Sequence, residues 1–244
     1  MARRRFFVAE FRNGHAAVCG EDAHHLARVL RVETGRRFEL SDNRAVWLAE
    51  VESASKDRVE FTLIEELASA PAPLRLTLLA SLIKFDRFEW MLEKATELGV
   101  ERFVPVMAAR SGKGLDRVAA ARRARWERIL VESSQQARRD RLPELGEVAD
   151  LGRTLARPAG SRYLLDEERG AEPILAALPA CRAPSDEVAL LAGPEGGWTE
   201  AERDQAREAG WRPVSLGRRI LRAETAALAA VAVLASAWEV GGIP

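Results

Sequence analysis

Two loops near the C-terminal end of the sequence contain residue types that are suited to holding a ligand. Residues 193–199 read GPEGGWT, and residues 216–225 read LGRRILRAET. In the first loop, Gly193, Gly196 and Gly197 let the backbone approach a ligand closely. The loop has neither the GKS or GKT of a phosphate-binding loop nor the GxGxxG of a dinucleotide site. Glycine also serves in a simple strand-to-helix turn, so the glycines alone leave both interpretations open.

The charge inside the first loop narrows the class of ligand. Glu195 would repel a phosphate group, but it suits a cationic ligand or a neutral ligand with hydroxyl groups. Thr199, where a helix is predicted to begin, adds free backbone N–H groups. A sulfonium compound such as S-adenosylmethionine fits this description.

The segment that follows residue 74 alternates between strand and helix patterns. Strands are predicted at 75–83, 102–107, 162–168, 187–193 and 212–217, and helices at 86–99, 116–140, 199–210 and 222–240. This alternation predicts an α/β domain with a mainly parallel sheet. Ligands bind such sheets outside the carboxyl ends of the strands, where both loops lie.

Two of the predicted helices begin with a capping-box pattern. Asp86 pairs with Glu89 in the first, and Thr199 pairs with Glu202 in the second. Gly99 is predicted to end the first of these helices.

The segment before residues 65–76, a linker with two prolines, has a different pattern. Short strand-like stretches separated by turn residues occur at 5–8, 36–42, 45–52 and 58–66. Their spacing predicts a small β-barrel or sandwich, interrupted by one helical piece at 21–32.

Composition excludes several classes of protein. The chain has 244 residues, of which 47% are apolar, so it can bury a substantial core. Its 37 basic and 37 acidic residues give no net charge, which argues against indiscriminate nucleic-acid binding. Two distant cysteines and three histidines without ligand spacing predict neither a disulfide framework nor a metal site. The absence of a secretory pattern and of a long apolar run predicts a cytoplasmic protein without a membrane span.

Four groups of motifs, in order along the chain, resemble those of one known family. They are RRFFV (4–8) with HHLARVLRVETG (24–35), KFDRFEWMLEKATELGVERFVPV (84–106), QQARRDRLPEL (135–145), and GPEGGWTEAE (193–202) with LGRRILRAETAAL (216–228). Together they resemble the 16S ribosomal RNA (uracil-N3)-methyltransferases, the RsmE family of the SPOUT superfamily, over nearly the whole chain.

The resemblance implies a fold and a set of partners. The implied fold is α/β, with a PUA-like, RNA-binding β-barrel at 1–70 and a SPOUT methyltransferase domain with a trefoil knot at 74–244. Without the resemblance, the rarity of knots predicts an unknotted doubly wound sheet. The implied cofactor is S-adenosylmethionine, and the implied partners are 16S rRNA or the small ribosomal subunit and a second copy of the chain, with no metal and no membrane.

The resemblance also implies which residues contact the cofactor, mostly through backbone groups. They are Leu165, Leu191, Gly193, Pro194, Glu195, Gly196, Gly197, Leu216, Gly217, Ile220, Leu221 and Arg222. The sequence departs from the family pattern in two places. Gln135 stands where Glu is frequent, and Ala223 stands where Thr is common. A catalytic role for either missing side chain is therefore in doubt here.

The implied reaction predicts two catalytic residues. Uracil N3 carries a proton that must be lost, and it lies on the Watson–Crick edge, so the base must be unpaired. Arg222 is predicted to stabilise the uracil anion, and Glu224 to orient the base or to help remove the proton. In the alternative interpretation, these two residues form a structural pair that fixes the last helix.

RNA contacts are predicted to depend on basic residues, because RNA is bound through backbone charge, stacking and 2′-OH groups. The candidates are Arg3, Arg4, Arg5, His24, Arg28, Arg31, Lys84, Arg87, Arg110, Arg139 and Arg141. A solvated charged face is the alternative for each. Trp90 and Trp126, at helical spacing, are predicted in the core rather than as stacking platforms.

Two other functions compete with this one. An RNA-binding protein that has lost catalysis, or that has another RNA target, is compatible with the departures at Gln135 and Ala223. A nicotinamide-dependent oxidoreductase is disfavoured because GxGxxG is missing.

Overall fold

The structure, a computed structural model, describes most of the chain and divides it into two units. The described residues are 4–69, 72–156, 160–168, 170–184 and 186–241. The first unit consists of Met1–Ala70 with Val131–Leu142, and the second of Pro71–Leu130 with Pro143–Pro244. Relative to the predicted division at 1–70 and 74–244, the new feature is that Val131–Leu142 is grouped with the N-terminal unit.

The first unit is built on a five-stranded sheet with the order β1-β3-β4-β5-β2. Its elements are β1 (Arg5–Phe7), β2 (His15–Cys19), α1 (Gly20–His24), β3 (Arg37–Ser41), β4 (Val46–Ala54) and β5 (Arg58–Leu67). β1 pairs with β3 in parallel, and the other neighbours are antiparallel. The predicted helix at 21–32 is shorter, since α1 continues only as a π-helical turn at His25–Val29.

Three phenylalanine side chains pack against one another in the core of this unit. The ring of Phe38 packs edge-on against Phe6 at 5.7 Å and against Phe61 at 6.2 Å between centroids. Such contacts stabilise a small core beyond the area that they bury. The strand His15–Cys19, which the sequence analysis missed, adds buried Val18 to this cluster.

Arg5 ties the segment Val131–Leu142 to this sheet. Its guanidinium donates hydrogen bonds to Glu39 (2.9 Å), to the carbonyl oxygen of Arg138 (2.6 Å) and to Asp140. The side chain is only 10% exposed. The prediction that Arg5 contacts RNA is therefore corrected, because its donors are buried and used within the unit.

The second unit is an α/β structure with an eight-stranded sheet. Its strands are β6 (Arg75–Ser81), β7 (Arg102–Met107), β8 (Glu144–Leu145), β9 (Ala149–Asp150), β10 (Ser161–Leu165), β11 (Glu172–Pro173), β12 (Glu187–Ala192) and β13 (Arg212–Ser215). Its helices are α2 (Phe85–Glu97), α3 (Leu115–Gln136, whose last residues belong to the first unit), α4 (Leu151–Leu155), α5 (Ile174–Ala177), α6 (Glu200–Glu208) and α7 (Ala223–Glu239).

All strand pairs of this sheet are parallel, which confirms the predicted α/β architecture. The strand order is β11-β13-β10-β12-β6-β7-β8, and β9 also pairs with β7. Both faces are covered. Leu190 of β12 packs in the cluster that contains α2 and α7 residues, whereas Leu191 packs with Trp198 and Ala206 on the other face. This burial explains why the strands are continuous apolar runs rather than alternating patterns.

The two predicted capping boxes have different outcomes. The one at Thr199 and Glu202 is present, and both of its reciprocal hydrogen bonds are formed. The one at Asp86 and Glu89 is wrong. α2 begins one residue earlier than Asp86, and Lys84 at its N-cap makes no side-chain capping hydrogen bond.

Glu89 instead lies buried between two arginines of α3. Arg122 and Arg125 each donate to its carboxylate at 2.7 Å. Burial alone would raise the pKa of Glu89, but the hydrogen bonds from Arg125 and Arg122 outweigh this effect and lower the pKa below its usual value.

The two tryptophans that were predicted to lie in the core differ in exposure. Trp126 is buried as predicted, but Trp90 is 46% exposed, so the prediction for Trp90 is wrong.

We expect Glu89→Gln to lower the free energy of unfolding by about 1–2 kcal/mol at pH 7, because a charged acceptor of two hydrogen bonds is lost. A lowered folded-state pKa stabilises the protein above the ordinary carboxyl pKa of about 4.3. This stabilisation is lost as the pH falls through the folded-state value. The difference between the wild type and Glu89→Gln in denaturant unfolding should therefore narrow below about pH 4.

The matched control is Glu93→Gln on the same helix, where an exposed carboxylate pairs with Lys94 at 2.7 Å. Its effect should stay within about 0.5 kcal/mol. An equal loss at every pH for Glu89→Gln would contradict the assigned role of its charge.

Candidate active site

A pocket of about 320 Å³ opens in the second unit at the carboxyl ends of β10, β12 and β13. The loops that follow these three strands line it, together with Arg87 of α2 and the start of α7. This is the edge of a parallel sheet where ligands bind, and the volume is in the range of small-molecule sites.

Most residues predicted to contact the cofactor line this pocket. They are Leu165, Gly193, Pro194, Glu195, Gly197, Leu216, Gly217, Ile220, Leu221 and Arg222. The other two lie beside it. Leu191 is fully buried in the core behind the loop, and the carbonyl oxygen of Gly196 accepts a hydrogen bond from Arg110.

Two positions of the first loop favour glycine, Gly193 because of a close contact and Gly197 because of its backbone conformation. A Cβ atom at Gly193 would lie 3.0 Å from the indole of Trp198, which is held in place by a 2.8 Å hydrogen bond from its Nε1 to the carbonyl oxygen of Leu165. Gly197 has a φ of +66°, and a Cβ atom there would lie 2.8 Å from Oε1 of Glu167. The sequence therefore uses glycine here for packing as well as for ligand access.

Arg110, predicted to contact RNA, holds this loop from the segment after β7. Its Nη1 donates to the carbonyl oxygens of Gly196 at 2.9 Å and Trp198 at 3.2 Å. The neighbouring backbone N–H of Ala109 donates to Glu202 at 2.7 Å. The second half of the loop and the first turn of α6 are thus tied to the segment after β7.

Two acidic residues that the sequence analysis missed also line the pocket. Asp166 is held by Arg203, whose Nε donates to Oδ2 at 2.9 Å, and this hydrogen bond raises the pKa of Arg203. Glu167 has no ion-pair partner among the residues that the structure describes. Their position directly after a strand of a parallel sheet was the signal that could have identified them.

The two predicted catalytic residues are close in sequence but differ in environment. Arg222, at the N-cap of α7, is exposed and lines the pocket. Glu224 is buried at 6% exposure, and its Oε2 has no hydrogen-bond partner within the described ranges. The cation that faces Glu224 is Arg87, with Nε 3.8 Å from Oε1. No ion pair between Arg222 and Glu224 is formed in the described part of the chain, so the alternative structural pair is not supported.

Arg87, predicted to contact RNA, lies inside the pocket. Its Nη1 donates to Oε1 of Glu195 at 2.7 Å. The carboxylate of the glycine-rich loop is therefore neutralised by a residue from α2.

The other predicted RNA contacts are distributed over the surface. Arg3 lies outside the described residues. In the first unit, the exposed candidates are Arg4, His24, Arg28, Arg31 and Arg141, and Arg139 is partly buried. Arg4 lies 3.1 Å from the ring of His25. In the second unit, Lys84 is exposed just before α2.

Of the two departures from the family pattern, the one at Gln135 has a structural explanation. Nε2 of Gln135 donates to Asp22 at 2.8 Å within the first unit. A glutamate at this position would place two carboxylates side by side, which explains why glutamine is suitable here. Ala223, the first residue of α7, lines the pocket.

Within the described residues, no group of three or more His, Cys, Asp or Glu side chains is arranged to hold a metal ion. No described helix is both long and apolar enough to cross a membrane.

Comparisons with known proteins match both units. A family model described as an RNA methyltransferase domain matches residues 70–235, and one described as an RNA methyltransferase PUA domain matches residues 18–64. The fold and the pocket therefore define an α/β RNA methyltransferase with a PUA-like domain.

Individual relatives identify the family. The ribosomal RNA small subunit methyltransferase E of Bacillus subtilis is 31% identical, covering 89% of this chain and 88% of its own. The protein of the same name from Synechocystis is 35% identical, and the match covers 86% of this chain and 69% of the Synechocystis protein. A similar fold is found in the crystal structure of ribosomal RNA small subunit methyltransferase E from Neisseria gonorrhoeae bound to S-adenosyl methionine, with a TM-score of 0.86. The two sequences are 31% identical, and the match covers 97% of this chain and 98% of the Neisseria chain. The chain belongs to the ribosomal RNA small subunit methyltransferase E family.

We expect Gly193→Ala to weaken S-adenosylmethionine binding about 5- to 150-fold, because overpacking against a fixed indole in the pocket costs about 1–3 kcal/mol. Titration calorimetry measures this change. The matched control is Gly146→Ala, whose Cβ atom would lie 3.2 Å from the carbonyl oxygen of Phe103, a contact that does not involve the pocket. This control should lower stability but leave cofactor affinity unchanged. Equal affinity in Gly193→Ala would contradict the role of this close contact.

Proposed function

We propose that this chain transfers a methyl group from S-adenosylmethionine to N3 of a uridine in the 16S RNA of the small ribosomal subunit. The observation that carries the proposal is Glu224, a buried carboxylate whose Oε2 lacks a hydrogen-bond partner in the described structure and which follows the pocket-lining residues Arg222 and Ala223 in the chain. Membership of the methyltransferase E family supports the RNA substrate.

The residues of the pocket fit S-adenosylmethionine. The glycine-rich loop leaves room for backbone contact at Gly193 and Gly197, and Leu165, Leu216 and Leu221 supply apolar surface. Glu167 supplies a carboxylate without an ion-pair partner in the described structure, which suits the amino group or the ribose hydroxyls of the cofactor. When bound, the cofactor supplies an electrophilic methyl group whose carbon–sulfur electron pair leaves with a neutral thioether.

Glu224 and Arg222 are assigned to the reacting base. The N3–H proton passes to Oε2 of Glu224, and the N3 electron pair forms the new bond to the methyl carbon. Arg222 donates toward a ring oxygen on which negative charge develops. Preorganised donors of this kind are among the largest contributions to catalysis. A carboxylate acceptor also favours uracil over cytosine, since cytosine has no proton at N3.

The target base must leave its base pair, because N3 lies on the Watson–Crick edge. The exposed loop 216–222 borders the pocket and contains three exposed arginines, at 218, 219 and 222. The sequence analysis missed the first two. Their position fits contacts with the phosphates that flank an unpaired uridine.

The proposal also includes a trefoil knot, a homodimer and a cytoplasmic location. β13 follows β12 in the chain but pairs with the far side of β10, and α7 then returns to pack against β12 and β6. This return path is compatible with the trefoil knot that the resemblance implies. A homodimer and a cytoplasmic location are inferred from the family and from the ribosomal substrate.

The function is tested with labelled S-adenosylmethionine and either small subunits or naked rRNA from a strain that lacks the gene. The RNA is digested, and the labelled nucleoside is identified by mass spectrometry. Label in N3-methyluridine supports the proposal. Which of the two substrates is labelled shows whether the enzyme acts on the assembled subunit or on naked RNA. Label in another nucleoside, or cofactor binding without any label, would favour an RNA-binding relative with another target or without activity.

We expect Arg222→Ala to lower kcat about 100-fold, the usual effect of removing one donor to a developing anion. Arg222→Lys, which keeps the charge, should recover part of the loss. The measurement is single-turnover methylation, with calorimetry to confirm that the cofactor still binds. Normal turnover with intact cofactor affinity would show that the charge of Arg222 is not used.

Glu224→Gln should lower kcat at least about 100-fold, because the amide cannot accept the N3 proton as a carboxylate does. Thermal unfolding controls for stability, since the buried carboxylate is replaced by a group of the same shape. The matched control is Glu187→Gln, an exposed carboxylate that pairs with Arg75 at 2.8 Å. It should turn over like the wild type. A similar rate in Glu224→Gln would rule out proton transfer to Glu224.

A further inference from the structure

Arg87 lines the pocket and contacts carboxylates of two other segments, Glu195 in the glycine-rich loop and Glu224 in α7. It extends from the first turn of α2, makes a 2.7 Å hydrogen bond to Glu195 of the glycine-rich loop, and faces Glu224 of α7 at 3.8 Å. Its side chain is 31% exposed, so water reaches only part of it. One guanidinium thus lies between the loop predicted to hold the cofactor and the carboxylate predicted to accept the proton.

The two contacts of Arg87 differ in kind. The contact with Glu195 is a short charge-assisted hydrogen bond, the stronger type. The contact with Glu224 is a longer charge interaction, which leaves Oε2 of Glu224 without a hydrogen bond in the described part of the molecule. A nearby positive charge compensates part of the cost of burying the carboxylate without occupying that oxygen atom.

A residue that contacts RNA directly would be free to reach outward, but Arg87 is committed to two carboxylates. Guanidinium is suited to this arrangement because its donors lie in a rigid plane and can serve two acceptors at once. If Arg87 were removed, Glu195 would lose its partner and Glu224 would lose the cation that faces it. Both ends of the reaction site would change together.

We propose that Arg87 is a positioning residue for methyl transfer, which holds Glu195 of the cofactor loop and orients Glu224 toward the uridine. This inference rests on the proposed function and assigns a role that differs from RNA binding. Arg87 itself gives up no proton and forms no bond to the base. It holds in place the carboxylate of Glu224, whose Oε2 accepts the proton from N3.

The first test uses the full-length protein without RNA, so it does not depend on activity. Calorimetry with S-adenosylmethionine is carried out on the wild type, Arg87→Gln, Glu195→Gln and the double variant. Each single variant should bind about three- to tenfold more weakly, and the double variant no more weakly than either, because residues in direct contact give non-additive effects. Losses that multiply in the double variant would contradict the shared contact.

The second test separates positioning from RNA binding by kinetics on small-subunit RNA. Arg87→Gln should lower kcat about 10- to 100-fold, as expected when a reacting group is misplaced. The KM for RNA should change less than about threefold, because no RNA contact is lost. Arg87→Lys should recover part of the rate, since an ammonium group keeps the positive charge but lacks the planar donors that serve both carboxylates. A raised KM with unchanged kcat would assign Arg87 to RNA binding and overturn the proposal.

Two controls make the outcome specific. Arg75→Gln removes an arginine from a comparable surface pair with Glu187, at the opposite end of β6, and should leave kcat unchanged. Thermal unfolding shows whether Arg87→Gln is folded. If it is not, the kinetic test is carried out on Arg87→Lys instead. If the wild type yields no N3-methyluridine, the proposed function fails. If the wild type is active and both Arg87 variants match it, the positioning role alone fails.

Discussion

The pocket depends on a parallel sheet that is buried on both of its faces. In β12, consecutive residues Leu190 and Leu191 enter different cores, one shared with α2 and α7 and the other with α6. A slip of one residue would exchange these faces, so packing fixes the register of the strands. The register in turn places the carboxyl ends of β10, β12 and β13 at one edge. The loops that line the pocket have little freedom because their starting points are set by the core.

The acidic residues around the pocket differ in whether a basic side chain holds them. Asp166 is held by buried Arg203, and Glu195 is held by Arg87. Glu167, by contrast, has no ion pair among the described side chains, and Glu224 keeps one oxygen atom unpaired there. Carboxylates that are already paired contribute mainly to the shape of the site. Glu167, which lines the pocket without an ion pair in the described structure, is the carboxylate best placed to contact a cationic ligand.

The sequence predicted the architecture better than it predicted individual side chains. Apolar runs and the glycine-rich loops were sufficient for the α/β domain and for the edge of the sheet where the pocket lies, whereas the individual lining residues were implied by the family resemblance. Glu89 was misinterpreted because its spacing from Asp86 fits a capping box, and only tertiary structure brings Arg122 and Arg125 to it. Arg5 was misassigned for a similar reason, since no local pattern shows that its partners are more than 30 residues away. Local patterns predict elements, whereas ion pairs between distant segments require the fold.

Several departures from ordinary packing rules lie at or beside the pocket. Gly193 and Gly197 leave no room for a side chain, and Gly217 has a φ of +111° that other residues rarely adopt. The unpaired oxygen of Glu224 adds a cost on the order of 1–3 kcal/mol, typical of a buried polar atom without a partner. The doubly covered sheet supplies the burial that offsets these costs. A chain selected for stability alone would remove them, so their presence beside the pocket fits an edge of the sheet that is shaped for a ligand.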